Sequence, residues 1–312
     1  MKLLITGASG YIGRNVTRYF LDRGIEVVGF DLVEFYPPVE FPSGFQFIQG
    51  NINSPEDLEK IRKFGNFSAV LHFAALKSVE ESFQYPDLYM ETNVSGTQEL
   101  LAFADNFGIT TFINFSSAAV YGDVQSGIAS EDLAGNPLSP YGKSKLLAED
   151  IGKSFASEKN LNVVSLRLFN VGGAYRKELQ DRGTKNIVPI FVNAVKANIS
   201  PRIFGNSFDT PDGTCLRDYV HVNDICIVIE KLLKLEKLRS QNLILNVGTG
   251  VGTSVLQVFQ EVSKQLGRNI QPTFQNERIG DAAKLIANTN KIEEILEFKP
   301  ETSFEKIISS IL

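Results

Sequence analysis

Six short apolar runs punctuate the first 170 residues: "KLLIT" (2–6), "EVVGF" (26–30), "FQFIQG" (45–50), "AVLHFAA" (69–75), "TFINFSS" (111–117) and "VVSLRLF" (163–169). Each is bounded by turn residues and separated from the next by a segment long enough for a helix. That rhythm predicts buried parallel strands joined by crossover helices, an α/β fold built on a doubly wound parallel sheet. After Phe169 the rhythm breaks into long polar loops with Pro, Gly and Asn, and "LILNVGTG" (243–250) is strand-like again. The pattern therefore predicts a first domain over 1–170, rejoined by about 218–250, and a smaller lobe from 171–217 with 251–312. One helix is well marked. Ser139 can cap it, Pro140 suits its first turn, and Leu147, Ile151 and Phe155 predict a buried stripe beside which Tyr141 and Lys145 lie.

Composition narrows the classes of function. The chain has 312 residues, 43% hydrophobic and 21% charged, with a net charge of −5, so nothing points to nucleic acid or an anionic membrane as partner. No long uninterrupted apolar segment predicts a membrane span. "MKLLITGASG" runs directly into a strand and glycine turn, without the apolar core and cleavage site of a secretion signal. Cys215 and Cys226 are the two cysteines, which points to an unstapled, cytoplasmic protein. His72 and His221 are far apart and lack partners at metal-ligand spacing, so no metal site is expected.

The amino-terminal end carries the first chemistry. "LLITGASGYIGRNV" is a strand followed by Gly7, Gly10 and Gly13. Such glycines permit a tight turn and a close approach of backbone to a pyrophosphate, which then lies at the positive end of the next helix. The second strand ends at Asp31, where a carboxylate accepts hydrogen bonds from a ribose 2′-hydroxyl and repels a 2′-phosphate. The expectation is a Rossmann-type domain that binds NAD in preference to NADP.

A second motif, "YGKSK" (141–145), places a tyrosine and a lysine on one helical face. By itself that spacing is more often an ordinary surface pair than an acid/base pair. The Gly-x-x-Gly-x-x-Gly turn, however, resembles the extended short-chain dehydrogenase/reductase superfamily, in which Tyr-x-x-x-Lys is the catalytic pair and a serine lies one strand upstream. "NFSSAAVYG" supplies Ser116 and Ser117 at such a strand end. Making a tyrosine a base near pH 7 needs a shift of ~3 units, or ~4 kcal/mol. A cation about 4 Å away at an effective dielectric of ~20 provides ~4 kcal/mol. Lys145 is expected to be one such cation and the oxidised nicotinamide a second.

Further motifs carry a closer resemblance. "HFAALKSVEES", "NVSGT", "SPYGKSK", "LRLFNVGGA", "TPDGTCLRDYVHVNDI", "LNVGTG" and "ERIGD" occur in the order found in the UDP-glucose 4-epimerase family, over nearly the whole chain. The resemblance implies Ser117, Tyr141 and Lys145 as catalytic residues. It implies a cofactor site of Gly7, Gly10, Tyr11, Ile12, Gly13 and Asp31, continued by Asn51 and Ile52. Phe73, Ala74, Ala75 and Lys77 would come next, after the fourth strand, with Asn93 on the nicotinamide side and Ser116 and Phe169 alongside Tyr141 and Lys145. For the substrate, the resemblance implies Asn170 at the sugar and diphosphate, Asn186 and Ile187 in the nucleotide pocket, and Phe204 at the uracil. Arg217 and Arg278 would clamp the diphosphate, whose oxygens match forked guanidinium donors. Asp281 would meet the ribose, while Lys77, Ser117 and Tyr141 would share the sugar side.

The same resemblance implies a reaction: Tyr141 takes the proton from the sugar 4′-hydroxyl, hydride passes to the nicotinamide, and the 4-keto sugar turns and is reduced on its other face. Ala118, Ala119 and Val120 after Ser117 offer no carboxylate of the kind that dehydratases and decarboxylases use beside this serine. Other readings are a 4-epimerase of UDP-N-acetylhexosamines, a reductase or dehydratase of nucleotide sugars, and a non-catalytic NAD-binding scaffold. The family also implies a homodimer. Departures touch the sugar pocket: Ala119 replaces a common Thr, Leu168 and Val171 flank "FN", and the loop 176–185 is short. Seven positions after Arg278, Leu285 would line the pocket beside C2, with room beyond a tyrosine's but no hydrogen bond for an acetamide. That ranks UDP-glucose and UDP-galactose above their N-acetyl counterparts.

Overall fold

The computed structural model describes residues 1–159, 161–183, 185–235, 242–278 and 281–312. Thr184 of the short loop, and Ile279 and Gly280 of "ERIGD", lie outside the described residues. The chain divides into two compact units. One comprises 1–120, 139–167 and 229–245; the other comprises 121–138, 168–228 and 246–312.

The first unit is built on the expected sheet. Its strands are β1 (Lys2–Thr6), β2 (Glu26–Asp31), β3 (Phe45–Gln49), β4 (Ala69–His72), β5 (Thr111–Ser117), β6 (Asn162–Leu168) and β7 (Asn242–Val247), in spatial order β7-β6-β5-β4-β1-β2-β3. β1 pairs in parallel with both β2 and β4, and the parallel pairing extends to β3 on one side and β5 on the other. The strand order reverses at β1 and β4, and the crevice beyond their carboxyl ends is where doubly wound sheets bind ligands. The inner strands β1, β4, β5 and β6 are buried on both faces, which is why they read as nearly continuous apolar runs, whereas the edge strand β3 has Ile48 alone buried. Leu4, Val28, Phe30, Val70, Leu100, Leu101, Phe112 and Val163 form one core cluster between sheet and helices.

Two helices frame the crevice. α1 (Tyr11–Leu21) starts directly from the glycine turn, with Gly10 as a cap that has no side chain and no acidic residue in the first turn. α2 (Pro140–Glu158) is capped as expected, Ser139 accepting from the Gly142 N–H at 3.1 Å. Its deepest face lies beside the expected stripe, of which Ile151 and Phe155 pack against the core cluster. Gly142, Ser144, Lys145, Ala148, Glu149, Gly152 and Ala156 face inward, while Leu147, Ile151 and Phe155 are half-buried along the flank. Small side chains let the helix lie close on the sheet; a Cβ on Gly152 would stand 2.9 Å from Val163. The apolar spacing named a stripe beside the deepest one because Lys and Glu do not register as core residues.

The second unit has a small sheet ordered through Gly252–Ser254, Leu216–His221, Lys284–Ala287 and Ile128–Ala129, with Asn170–Gly172 pairing in parallel beside Tyr219–His221. Arg202–Phe204 pairs in parallel with Thr273–Gln275. Its core gathers Phe191, Val195, Ile203, Tyr219, Phe259 and Ile307. Buried Asp218 pins the turn after β7, accepting from the Thr249 and Gly250 N–H groups, both at 2.8 Å, and from the Thr249 hydroxyl at 2.7 Å.

Candidate active site

The glycine turn and Asp31 form one unit. Gly7 adopts φ +70° and donates to the Phe30 carbonyl, and Gly10 donates back to Gly7 at 3.1 Å. A Cβ on Gly7 would lie 2.5 Å from the Ala74 nitrogen, and one on Gly13 2.1 Å from the Gly7 oxygen. These two glycines let β1, β4 and α1 meet, whereas Gly10 is exposed at the mouth of the turn. Asp31 turns its carboxylate to the same place, accepting from the Ser9 N–H at 2.9 Å and the Val33 N–H at 3.2 Å. Burial raises the Asp31 pKa, against the opposing pull of those backbone donors and of Arg14. A cradle of glycine backbone, a helix start without acidic side chains and a carboxylate beside it fit a dinucleotide. Ile52 is buried and Asn51 exposed after β3; Phe73, Ala74 and Ala75 are half-buried after β4, with Lys77 exposed beyond them.

The acid/base group lies at the end of β5. The Ser117 side chain lies near enough to the Tyr141 phenol to pull its pKa down, so the structure brings these two predicted residues together. Lys145, one turn along α2, is 5% exposed and donates to the Phe115 carbonyl at 2.9 Å. Its pKa is lowered to about 8, chiefly by burial, with the Glu149 carboxylate opposing. Tyr141 departs from expectation: burial pushes its phenol up, the Ser117 side chain pulling the other way. Desolvation of the phenolate outweighs what the chain alone provides, since the Lys145 ammonium is turned to a backbone carbonyl.

Asn93 is 1% exposed and sits in a π-helical turn, Glu91–Ser95, between the helices Pro86–Met90 and Gly96–Asn106. Its oxygen accepts from the Leu76 N–H at 2.8 Å. Its nitrogen donates to the Leu76 carbonyl and the Ser144 hydroxyl, each at 2.9 Å. It thereby ties the loop that bears Lys77 to the helix that bears Tyr141. A π-turn of this kind often marks a functional position.

Several supporting groups are not apparent in the sequence pattern. Tyr89 sets its ring edge-on to Tyr141, with centroids 6.3 Å apart, and is held by the Ser78 N–H and Glu81. Ser116, counted with the cofactor residues, is buried and donates to Glu149 at 2.5 Å, and Glu149 takes a two-pronged contact from Arg167. Two signals could have found this pair: a carboxylate four residues after Lys145, and an arginine inside the apolar run "VVSLRLF".

The second unit carries the residues expected to bind substrate other than Lys77, Ser117 and Tyr141. Arg278 stacks over the Phe204 ring, 3.7 Å from its centroid. Arg217 donates to the Ala282 carbonyl at 2.7 Å and lies 3.6 Å from the Asp281 carboxylate. Leu285, half-buried, is the strand neighbour of Arg217. Asn186 caps the helix Ile187–Lys196 and donates to Asp181. Asn170 is half-buried, and Phe169 is buried against Tyr121, ring centroids 6.5 Å apart. Among the described residues no group of three His, Cys, Asp or Glu could hold a metal ion, and no helix is long and apolar enough to cross a membrane.

Comparison with known proteins bears on this geometry. Residues 3–248 match the model of the NAD dependent epimerase/dehydratase family. The chain belongs to that family. It is 34% identical to the UDP-glucose 4-epimerase of Azospirillum brasilense, over 96% of this chain and 87% of that protein. It is also 34% identical to the UDP-glucose 4-epimerase of Streptococcus mutans, over 99% of this chain and 95% of that one. The structure of the Bifidobacterium longum UDP-glucose 4-epimerase in complex with NAD+ and UDP superposes with a TM-score of 0.90, at 28% identity over 100% of this chain and 97% of that one. The expected fold class and family are thus met.

Proposed function

We propose that this chain is an NAD-dependent UDP-hexose 4-epimerase that interconverts UDP-glucose and UDP-galactose through a transient 4-keto sugar. The observation that carries the reading is Tyr141 on α2 with the Ser117 side chain bearing on its phenol and buried Lys145 one turn away, beside a dinucleotide cradle. NAD, when bound, supplies a reversible hydride acceptor and a positive charge. Gly7, Gly10, Gly13 and Asp31 hold the cofactor, with the segments after β3 and β4 beside them. Tyr141 removes the proton from the sugar 4′-hydroxyl and later returns it. Ser117 hydrogen-bonds the same oxygen. Lys145 keeps a cation in reach of the phenolate, which the chain by itself disfavours.

Arg217, Arg278, Phe204, Asp281, Asn186 and Ile187 grip the nucleotide part, and Asn170 faces the sugar. Firm nucleotide contacts with a loosely held sugar let the keto intermediate present both faces. Leu285, next to Arg217 in the sheet, borders the C2 side of the sugar. Being apolar, it offers an acetamide no hydrogen bond, which favours hexoses. Two buried cysteine thiols, neither in a disulfide, support a cytoplasmic setting. Exposed Val79, Phe83 and Leu88 lie on adjoining helices, Val79–Gln84 and Pro86–Met90, with exposed Tyr85 at their junction, and support a homodimer formed by helix packing. Incubation with UDP-galactose, and separately with UDP-GalNAc, followed by chromatography of the sugars, tests the reading. Conversion of UDP-galactose to UDP-glucose without net cofactor change is expected; net oxidation of added NADH would indicate a reductase.

A further inference from the structure

We propose that Glu149, clamped by Arg167 and Ser116, is a positioning residue that holds the charge of Lys145 inside the protein. The inference rests on Lys145 being the working cation beside Tyr141.

The geometry joins three elements. Glu149 is 2% exposed on the inner face of α2, four residues after Lys145, a spacing that stacks the two side chains. From β5, Ser116 donates to Oε1 at 2.5 Å. From β6, Arg167 donates through Nε to Oε1 at 3.0 Å and through Nη2 to Oε2 at 2.7 Å. The carboxylate therefore has little freedom. Lys145 is fixed separately, by the Phe115 carbonyl of β5.

A buried ion pair is a poor way to gain stability, because packed apolar side chains of the same volume often do as well or better. Here the pair stands directly behind a lysine that burial disfavours in its charged form. The other charged or titratable neighbours do not replace Glu149. His72 on β4 bears on Lys145, but burial keeps it neutral. Tyr141 on α2 is neutral with its phenol raised. Arg167 on β6 is cationic and opposes the Lys145 charge. Ser116, Ser117 and Asn93 contribute dipoles alone. Glu149 is thus the anion that offsets the desolvation of Lys145, and Arg167 both orients that anion and tempers its field.

The test follows the proton on Lys145. In protein labelled with ¹³C-lysine, the Lys145 Cε signal, identified by its loss in Lys145→Met, is titrated against pH. Glu149→Gln keeps the shape and the Arg167 contact but removes the charge. The Lys145 midpoint should fall by about one pH unit, which leaves about a tenth of the lysine charged at the old midpoint, down from half. Glu149→Asp, which keeps the charge, should largely restore it. If Glu149→Gln does not fold, Arg167→Gln decides, since an untempered carboxylate moves the midpoint upward. A midpoint unmoved by either charge change, or lowered equally by Glu149→Gln and Glu149→Asp, overturns the proposal. The alkaline limb of the turnover–pH profile is recorded in parallel. A limb that stays while the NMR midpoint moves refutes the role given to Lys145 and leaves the Glu149 coupling standing.

Discussion

Gly13→Ala probes the cofactor cradle through backbone geometry alone. The new Cβ would lie 2.1 Å from the Gly7 oxygen and 2.9 Å from the Ala8 Cα. Both are backbone atoms, so no side chain can swing aside, and the first contact is more than an ångström inside ordinary van der Waals distance. The Gly7 oxygen is itself committed as acceptor for Gly10. α1 must therefore back away from β1, and Val16, Tyr19 and Phe20, all buried, resist that movement. Overpacking of this kind costs typically 1–3 kcal/mol, and roughly 2–4 °C of melting temperature accompanies each kcal/mol in a domain of this size.

The same displacement withdraws the Gly10–Gly13 backbone from a pyrophosphate. If ~1.4 kcal/mol of the strain is felt on binding, NAD affinity drops about tenfold. Calorimetry on cofactor-stripped protein and a thermal melt measure the two effects separately. Gly24→Ala is the control: Gly24, unlike Gly13, has positive φ, at 72°, and a Cβ there meets nothing within 4 Å, so the melt shifts modestly and NAD affinity stays. An unchanged NAD affinity in Gly13→Ala, with a normal melt, would refute the cradle as described.

Other outcomes are expected from the same structure. Tyr141→Phe should fold and bind NAD yet lose at least about a hundredfold in turnover, measured with UDP-galactose, as for loss of a positioned base. NAD+ should bind far more tightly than NADP+ in calorimetry, because a 2′-phosphate would face Asp31; equal affinities would remove that role. Leu285→Tyr should lower the ratio of N-acetylhexosamine to hexose activity in a product assay, and an unchanged ratio would show that Leu285 does not gate the pocket. Buried His72 has its pKa lowered to about 3, so the unfolded chain binds more protons below about pH 6.5. Stability should then fall on acidification, by about 2 kcal/mol from this residue at pH 5. Urea titrations of wild type and His72→Gln at pH 7 and pH 5 would expose the difference, the variant showing the shallower loss.

The parallel strands were legible because burial on both faces leaves runs such as "AVLHFAA" with hardly a polar residue. The glycine turn and the Ser139-Pro140 helix start were legible because each demands particular residues at fixed places. The inner face of α2 was not, because hydropathy favours Leu147, Ile151 and Phe155 over Lys145 and Glu149, and the buried face follows shape and charge. Asn93 stood out by resemblance, but its hydrogen bonds to Leu76 and Ser144 depend on a π-turn that periodicity at 3.6 residues does not anticipate. Tyr89 gave no signal, since its contact with Tyr141 joins two helices 52 positions apart.

These misses share a cause. His72 illustrates it: Thr97 spends its proton on the Asn93 carbonyl at 2.6 Å, so it accepts from His72 Nε2 at 2.9 Å, and Nδ1 accepts from the Thr6 hydroxyl at 2.8 Å. The neutral imidazole is thereby fixed in one tautomer. Together with Ser116, Glu149 and Arg167, which are joined by their own hydrogen bonds, it makes the inner layer behind the acid/base pair polar. A polar layer that orders one lysine and one tyrosine is therefore best understood as part of the site and not of the core, and its members should couple energetically. The coupling can be measured by a double-mutant cycle. Ser116→Ala and Glu149→Gln should together shift the Lys145 midpoint no further than Glu149→Gln alone, because Ser116 acts on Lys145 through the carboxylate it holds.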